Sequence, residues 1–199
     1  MELYLVRHTR PDVAEGLCYG RRDVALDEAD LHACVPRIVD LLPRGMAFYS
    51  SPAGRCVQLA ERLSAATDGA AALHDARLHE MHFGDWEGRL WRELPKEETL
   101  RWTGDIIGQT PPGGENYMAM WERVAAAYDE LVAAALESGS ERLCIVAHAG
   151  SLKVLLMRAL KLAPAQFSAF DVAQGRVSRL DVTRDANGAL FERLVYLNR

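Results

Sequence analysis

No run in this 199-residue sequence approaches the roughly 18 unbroken apolar residues of a membrane-spanning helix. The amino terminus lacks the cationic start and long apolar core of a secretory leader, so the expectation is a soluble, unprocessed chain. Cysteine is scarce: the four present, Cys18, Cys34, Cys56 and Cys144, are scattered and fall in no paired ligand spacing. They read as reduced, mostly structural thiols of a cytoplasmic protein. Neither G-x-x-x-x-G-K-[S/T] nor G-x-G-x-x-G occurs, so P-loop nucleotide hydrolysis and dinucleotide redox chemistry have no support. Excess positive charge is missing too. With a net charge of -5 the chain has no general attraction to nucleic acid or an anionic membrane, and any anion must be held by locally placed arginines.

What is present is an ordinary globular composition, 49% hydrophobic and 26% charged, which argues against disorder. The length suits one domain over residues 1–199 with a substantial core. "ELYLVR" reads as a buried strand. "DLHACVPRIVDLL" places Leu31, Val35, Ile38, Val39 and Leu42 on one helical face, with Pro36 as a blemish near its first turn. A short strand, "MAFYS", precedes the helical "SPAGRCVQLAERLSAAT", which Ser50 or Ser51 is placed to cap. From Asn116 to Leu136, Tyr117, Trp121, Val124, Tyr128, Leu131 and Ala135 form an amphipathic stripe. "RLCIVAH" is another strand, "LKVLLMRAL" a helix, and Asn187-Gly188 marks a hairpin turn in the tail. The Pro/Gly-rich "TPPGGEN" is a loop rather than a linker. The sum is an α/β protein, a three-layer α/β/α sandwich around a mostly parallel central sheet.

Two of these strands share a layout. "LYLVRH" and "CIVAH" each end an apolar strand in a histidine, at the edge where open α/β sheets bind ligands. Ala149 and Gly150 follow His148 into a helix whose first backbone N–H groups suit an anion. Arg55 sits just inside the helix after "FYSS", so strand ends deliver Arg7, His8, Arg55 and His148 to one pocket. Two cations and two imidazoles in a dry cavity repel one another, and a phosphate dianion relieves this best. With no metal site in the sequence, a neutral imidazole suffices as nucleophile, and His8 is that residue. Arg7, Arg55 and His148 would hold the equatorial oxygens. An alkyl phosphate also needs its leaving oxygen protonated. "RLHEMHFGDWEG" offers Glu80, Asp85 and Glu87, and Glu80, among Leu78, Met81 and Phe83, fits best.

These motifs ("LVRHT", "SSPAGR", "LHEMHFGDWEG", "PPGGEN" and "VAHAGS", in order across most of the chain) resemble the histidine phosphatase superfamily, which includes the cofactor-dependent phosphoglycerate mutases. The resemblance implies that His8 is phosphorylated, that Arg7, Arg55 and His148 form the phosphate pocket, and that Glu80 donates the proton. Thr9, Arg10 and Pro11 replace the commoner Gly-Glu-Thr after the R-H pair, and the later asparagine with its phosphate contact is absent. That departure, with "GLCYGRRD", looks like the α-ribazole phosphatase branch and implies dephosphorylation of α-ribazole 5'-phosphate in cobalamin assembly.

Tyr19, Arg21 and Glu115 are candidate substrate contacts, and Tyr19, Phe83, Trp86, Trp102 and Tyr117 are candidates to stack on a flat base. His74, His79 and His82 suggest a metal cluster, but "HEMH" is one residue short of the helical H-E-x-x-H zinc arrangement, so neither metal nor other cofactor is expected. The expected partner is a small-molecule phosphate ester. Phosphoglycerate mutase, a broad-specificity phosphatase and a non-catalytic phosphate-binding module stand as alternatives.

Overall fold

Side chains alternate across a strand, and here each face of the alternation meets its own helical layer. The computed structural model describes residues 1–199. The first strand, β1 (Glu2–Arg7), buries Leu3 and Leu5 on one side and Tyr4 and Val6 on the other. Four parallel strands follow the order β3 (Leu73–His74), β2 (Ala47–Ser50), β4 (Arg142–Ala147), β1. The antiparallel strands β5 (Val177–Arg184) and β6 (Leu190–Tyr196) complete the six-stranded sheet beyond β1.

Leu3, Leu5, Leu143, Ile145 and Leu180 pack under α4 (Tyr117–Glu137) and α5 (Ala149–Ala159). Tyr4, Val6, Phe48, Cys144 and Val146 pack under α1 (Glu28–Val39) and α2 (Gly54–Ala66). The result is the expected three-layer sandwich. Fully burying one leucine in such a layer contributes about 1.5–3 kcal/mol, so continuous packing on both faces holds the sheet. No helix is long and apolar enough to cross a membrane.

Two local readings need correction. The first helix starts two residues earlier than its apolar stripe suggests, because Asp27 caps it by accepting the Ala29 and Asp30 N–H groups. Pro36 therefore lies in the helix interior, not its first turn; the carbonyl deprived of an N–H partner belongs to exposed His32, where water can serve it. Second, neither Ser50 nor Ser51 caps α2. Ala53 occupies the cap position without a side-chain bond, and both serine hydroxyls bind histidines instead, Ser50 to His74 and Ser51 to His148.

The segment between β3 and α4 holds α3 (Lys96–Gly104) and short 3₁₀ turns, packed around a small third core of Cys18, Trp86 and Leu94. Phe83, Trp91 and Trp102 surround it with ring centroids 5.4–6.0 Å apart. This cap fastens the loop bearing Cys18 and Tyr19 to the loop bearing Glu80, over the carboxyl ends of the parallel strands. Gly20 (φ +40°) shows how close the two loops run, since a Cβ there would meet the Met81 carbonyl at 2.7 Å.

Candidate active site

Parallel pairing aligns Arg7 with Ala147, and the His8 N–H still reaches the Ala147 carbonyl at 3.0 Å. His8 and His148 thus face each other just beyond adjacent strand ends, their rings 5.2 Å apart, edge to face, and both are buried. His8 Nδ1 lies 2.7 Å from the Thr9 carbonyl oxygen. A carbonyl only accepts, so Nδ1 carries the hydrogen and the Nε2 lone pair is left available. Burial, then the Arg55 and Arg7 charges, lowers the His8 pKa to about 3 against the opposing effect of the Thr9 bond, so the ring is neutral at pH 7.

His148 is fixed by Ser51 Oγ, 2.8 Å from Nε2, with Cys56 Sγ 3.6 Å from the same nitrogen. Its pKa is lowered well below the ordinary value, by burial first and then by His8, Arg55, His79 and Arg7. Arg55 is fully buried in the first turn of α2, donating to the carbonyls of Arg22 (3.0 Å) and Gly20 (2.7 Å). Its guanidinium lies 5.1 Å from the Tyr19 ring centroid, and Tyr19 in turn is 6.4 Å from the His8 ring. Arg7 donates to the Val172 carbonyl at 2.6 Å. The Nε of each arginine is buried without a protein acceptor. Leaving such an N–H unpaired costs about 1–3 kcal/mol, and an oxyanion is one acceptor that would satisfy it.

Glu80 reaches the start of α5. Its Oε2 accepts the Gly150 N–H (3.0 Å) and its Oε1 the Met81 N–H (2.9 Å). A Cβ at position 150 would collide with this carboxylate, so the close approach requires glycine there. Beside Glu80, Ala149 and Gly150 open a 190 Å³ hollow walled by Phe83, Trp102, Tyr117, Met120 and Phe167, with Lys153 at its edge. Lys153 pairs with exposed Asp171 at 3.0 Å and sits 5.3 Å from the Phe167 ring centroid.

The structure therefore gathers Arg7, His8, Arg55, His148, Ala149 and Glu80, with Tyr19 among them. Of the proposed stacking aromatics, Phe83, Trp102 and Tyr117 line the hollow, whereas Trp86 is buried in the third core. Glu115 is not left free to meet a ligand: its two oxygens accept from Arg21, Arg123 and the His82 N–H, and Arg21 is tied to it at 2.9 Å. Sequence reasoning missed Ser51, which reads equally well as a helix cap, and Phe167, which has no local signal. Lys153 was traceable, since it lies one turn beyond Ala149 on the same helical face.

Neutral imidazoles facing each other near two guanidiniums, with a carboxylate at the neighbouring helix start, make an arrangement suited to phosphoryl transfer. The chain belongs to the histidine phosphatase superfamily (branch 1), whose family model matches residues 3–192. An adenosylcobalamin/alpha-ribazole phosphatase of Salmonella typhimurium is 36% identical over 108 residues, 53% of this chain and 52% of that protein. A 2,3-bisphosphoglycerate-dependent phosphoglycerate mutase of Cytophaga hutchinsonii is 28% identical over 128 residues, 61% of this chain and 59% of that one. The matches thus span little more than half the length of these curated relatives. The crystal structure of the alpha-ribazole phosphatase from Shigella flexneri superimposes with a TM-score of 0.81 at 25% identity, covering 100% of this chain and 96% of that one.

Stability should report the buried imidazoles. Both have pKa values below that of an unfolded histidine, so the unfolded state binds more protons as pH falls through about 6.5. The stability they permit is whole above that pH and declines below it, by about 1.4 kcal/mol per pH unit for each ring. Urea midpoints of the ligand-free protein at about pH 7.5 and about pH 5 test this, with a shallower decline expected for His8→Asn. An unchanged slope in the variant would show that His8 is not the group titrating.

Proposed function

We propose that the protein, as a single domain over residues 1–199, is a phosphomonoesterase working through a phosphohistidine on His8. Its substrate is an ester whose alcohol carries a flat apolar ring, α-ribazole 5'-phosphate being the favoured candidate. The observation that carries the chemistry is the His8 tautomer: Nδ1 is committed to Thr9, so the neutral ring presents Nε2 to phosphorus. The Nε2–P bond forms as the ester P–O bond breaks, and the departing alkoxide takes a proton from Glu80. Arg7, Arg55, His148 and the Ala149 N–H hold the equatorial oxygens while charge develops, each charge-assisted contact contributing on the order of 1.5–3 kcal/mol. Water then attacks phosphorus in line and gives its proton to the Glu80 carboxylate. The N–P bond breaks, phosphate leaves, and the acid is restored. None of these steps calls on a metal, and the reading places the enzyme in the cytoplasm, where its four buried free thiols are at home.

The hollow beside Glu80 favours the ring-bearing substrate. Its walls are aromatic and aliphatic, with Lys153 as its one cation, which suits a base better than the second phosphate and the carboxylate of a bisphosphoglycerate. Trp102→Ala should lower kcat/KM for α-ribazole 5'-phosphate about tenfold, through lost apolar contact, and leave glycerol phosphate nearly unchanged. Equal losses on both would remove the hollow from the substrate site. Phosphate release against transfer to phosphoglycerate separates phosphatase from mutase, and absence of any turnover would leave a binding module.

A further inference from the structure

We propose that Arg123, with Glu115, is a positioning clamp that holds the Glu80 loop at a fixed distance from the start of α5. The inference rests on the reading of Glu80 as proton donor and extends it to residues that touch neither phosphate nor leaving group.

Residues 79–83 belong to no helix or strand, so side chains must define where the acid stands. Arg123 reaches them from α4. Its Nη1 donates to the carbonyls of Arg77 (2.6 Å) and His79 (2.8 Å), and its Nη2 to that of Glu80 itself (3.0 Å). The opposite side of the guanidinium is engaged by Glu115, at 2.6 Å from Nη2 and 3.1 Å from Nε. Glu115 also accepts the His82 N–H at 2.9 Å, and its own N–H returns to the His82 carbonyl at 2.9 Å. Arg21 closes the bracket, giving Nη2 to Glu115 (2.9 Å) and Nε to the Glu80 carbonyl (3.3 Å).

Glu80 is thus pinned at its own carbonyl by two arginines and on both flanks by the Arg123–Glu115 pair. That pair is largely buried, at 17% and 15% exposure, so water competes weakly for these contacts. Burial works to raise the Glu115 pKa, but the Arg123 hydrogen bonds and charge, the His82 N–H and Arg21 outweigh it and hold the carboxyl below the usual range. Only a planar fork serves three carbonyls and a carboxylate together; an ammonium has three donors on one atom. Precision matters because a general acid must come within about 2.6–3.2 Å of the leaving oxygen, and a misplacement of about 1 Å costs roughly 10²-fold.

The test compares an alkyl phosphate with p-nitrophenyl phosphate, whose leaving group scarcely needs a proton, in Arg123→Lys, Glu80→Gln and the double variant. Arg123→Lys should lower kcat on the alkyl ester about 10- to 100-fold with KM little changed, and alter the aryl ester less than about threefold. The double variant should be no slower on the alkyl ester than Glu80→Gln alone, since a clamp is useless without its acid. Equal losses on both esters, or losses that multiply in the double variant, would overturn the clamp. If Arg123→Lys does not fold, Glu115→Gln carries the same comparison with the same outcomes. Failure of the underlying reading looks different: Glu80→Gln, with Arg123 intact, would slow both esters equally, and the clamp would fall with it.

Discussion

Replacing His8 by alanine is expected to abolish acid-labile labelling of the protein by a radioactive phosphate donor and to lower turnover by about 10⁴- to 10⁶-fold, the scale on which loss of a nucleophile is felt. The size follows from the absence of a substitute. His148 is the other buried imidazole, but its Nε2 is 2.8 Å from Ser51 and its ring meets His8 edge-on, so it is not presented as His8 is. The Cys56 thiol is held up at about 12 by burial, foremost, and is no thiolate at neutral pH. At pH 7 the lost ring is neutral and its side chain makes one hydrogen bond, to the Thr9 carbonyl, so the variant loses packing but no buried charge pair. His8→Asn guards against damage from the cavity. Persistent acid-labile labelling in both variants would place the nucleophile elsewhere.

Glu80→Gln should slow alkyl phosphates by about 10²- to 10⁴-fold and p-nitrophenyl phosphate far less, the range expected when a general acid is lost. Glutamine still offers an oxygen to one of the two N–H groups that bind Glu80, those of Met81 and Gly150, so the loop should keep its place. What disappears is a transferable proton. A poor leaving group such as a ribosyl alkoxide depends on that proton, whereas nitrophenolate is stable without it. Parallel losses on both substrates would assign Glu80 a structural task and leave the protonation step without an owner.

Much of this site is legible in the chain because its parts contradict their surroundings. A buried strand has no reason to end in Arg7-His8, and the same anomaly at His148 makes chance a poor account of both. Strands β1, β2 and β4 are equally plain, being short apolar runs bounded by turns. The cap is not legible: α3 and the turns around Trp86 and Trp91 lack a sustained period, and their packing against Cys18 is a long-range fact. The start of α1 is hidden because its first turn is polar, and Ser51 is misread because a serine before a helix has two good uses. Arg123 is the deepest omission. It sits on a helix whose stripe explains itself, and its guanidinium serves carbonyls 43 to 46 residues earlier in the chain.

The placement of β1 has a further consequence, for synthesis. Strand β1 is flanked by β4 and β5, which begin only at residues 142 and 177. An emerging chain must carry Leu-Tyr-Leu-Val without a hydrogen-bonding neighbour until β4 has followed it at residue 142. Contacts so distant along the polymer close slowly, and an unpaired apolar edge invites aggregation meanwhile. The His8 side chain therefore acquires its setting only after β4 and β5 have been made, and until then the strand before it travels as an unguarded apolar edge.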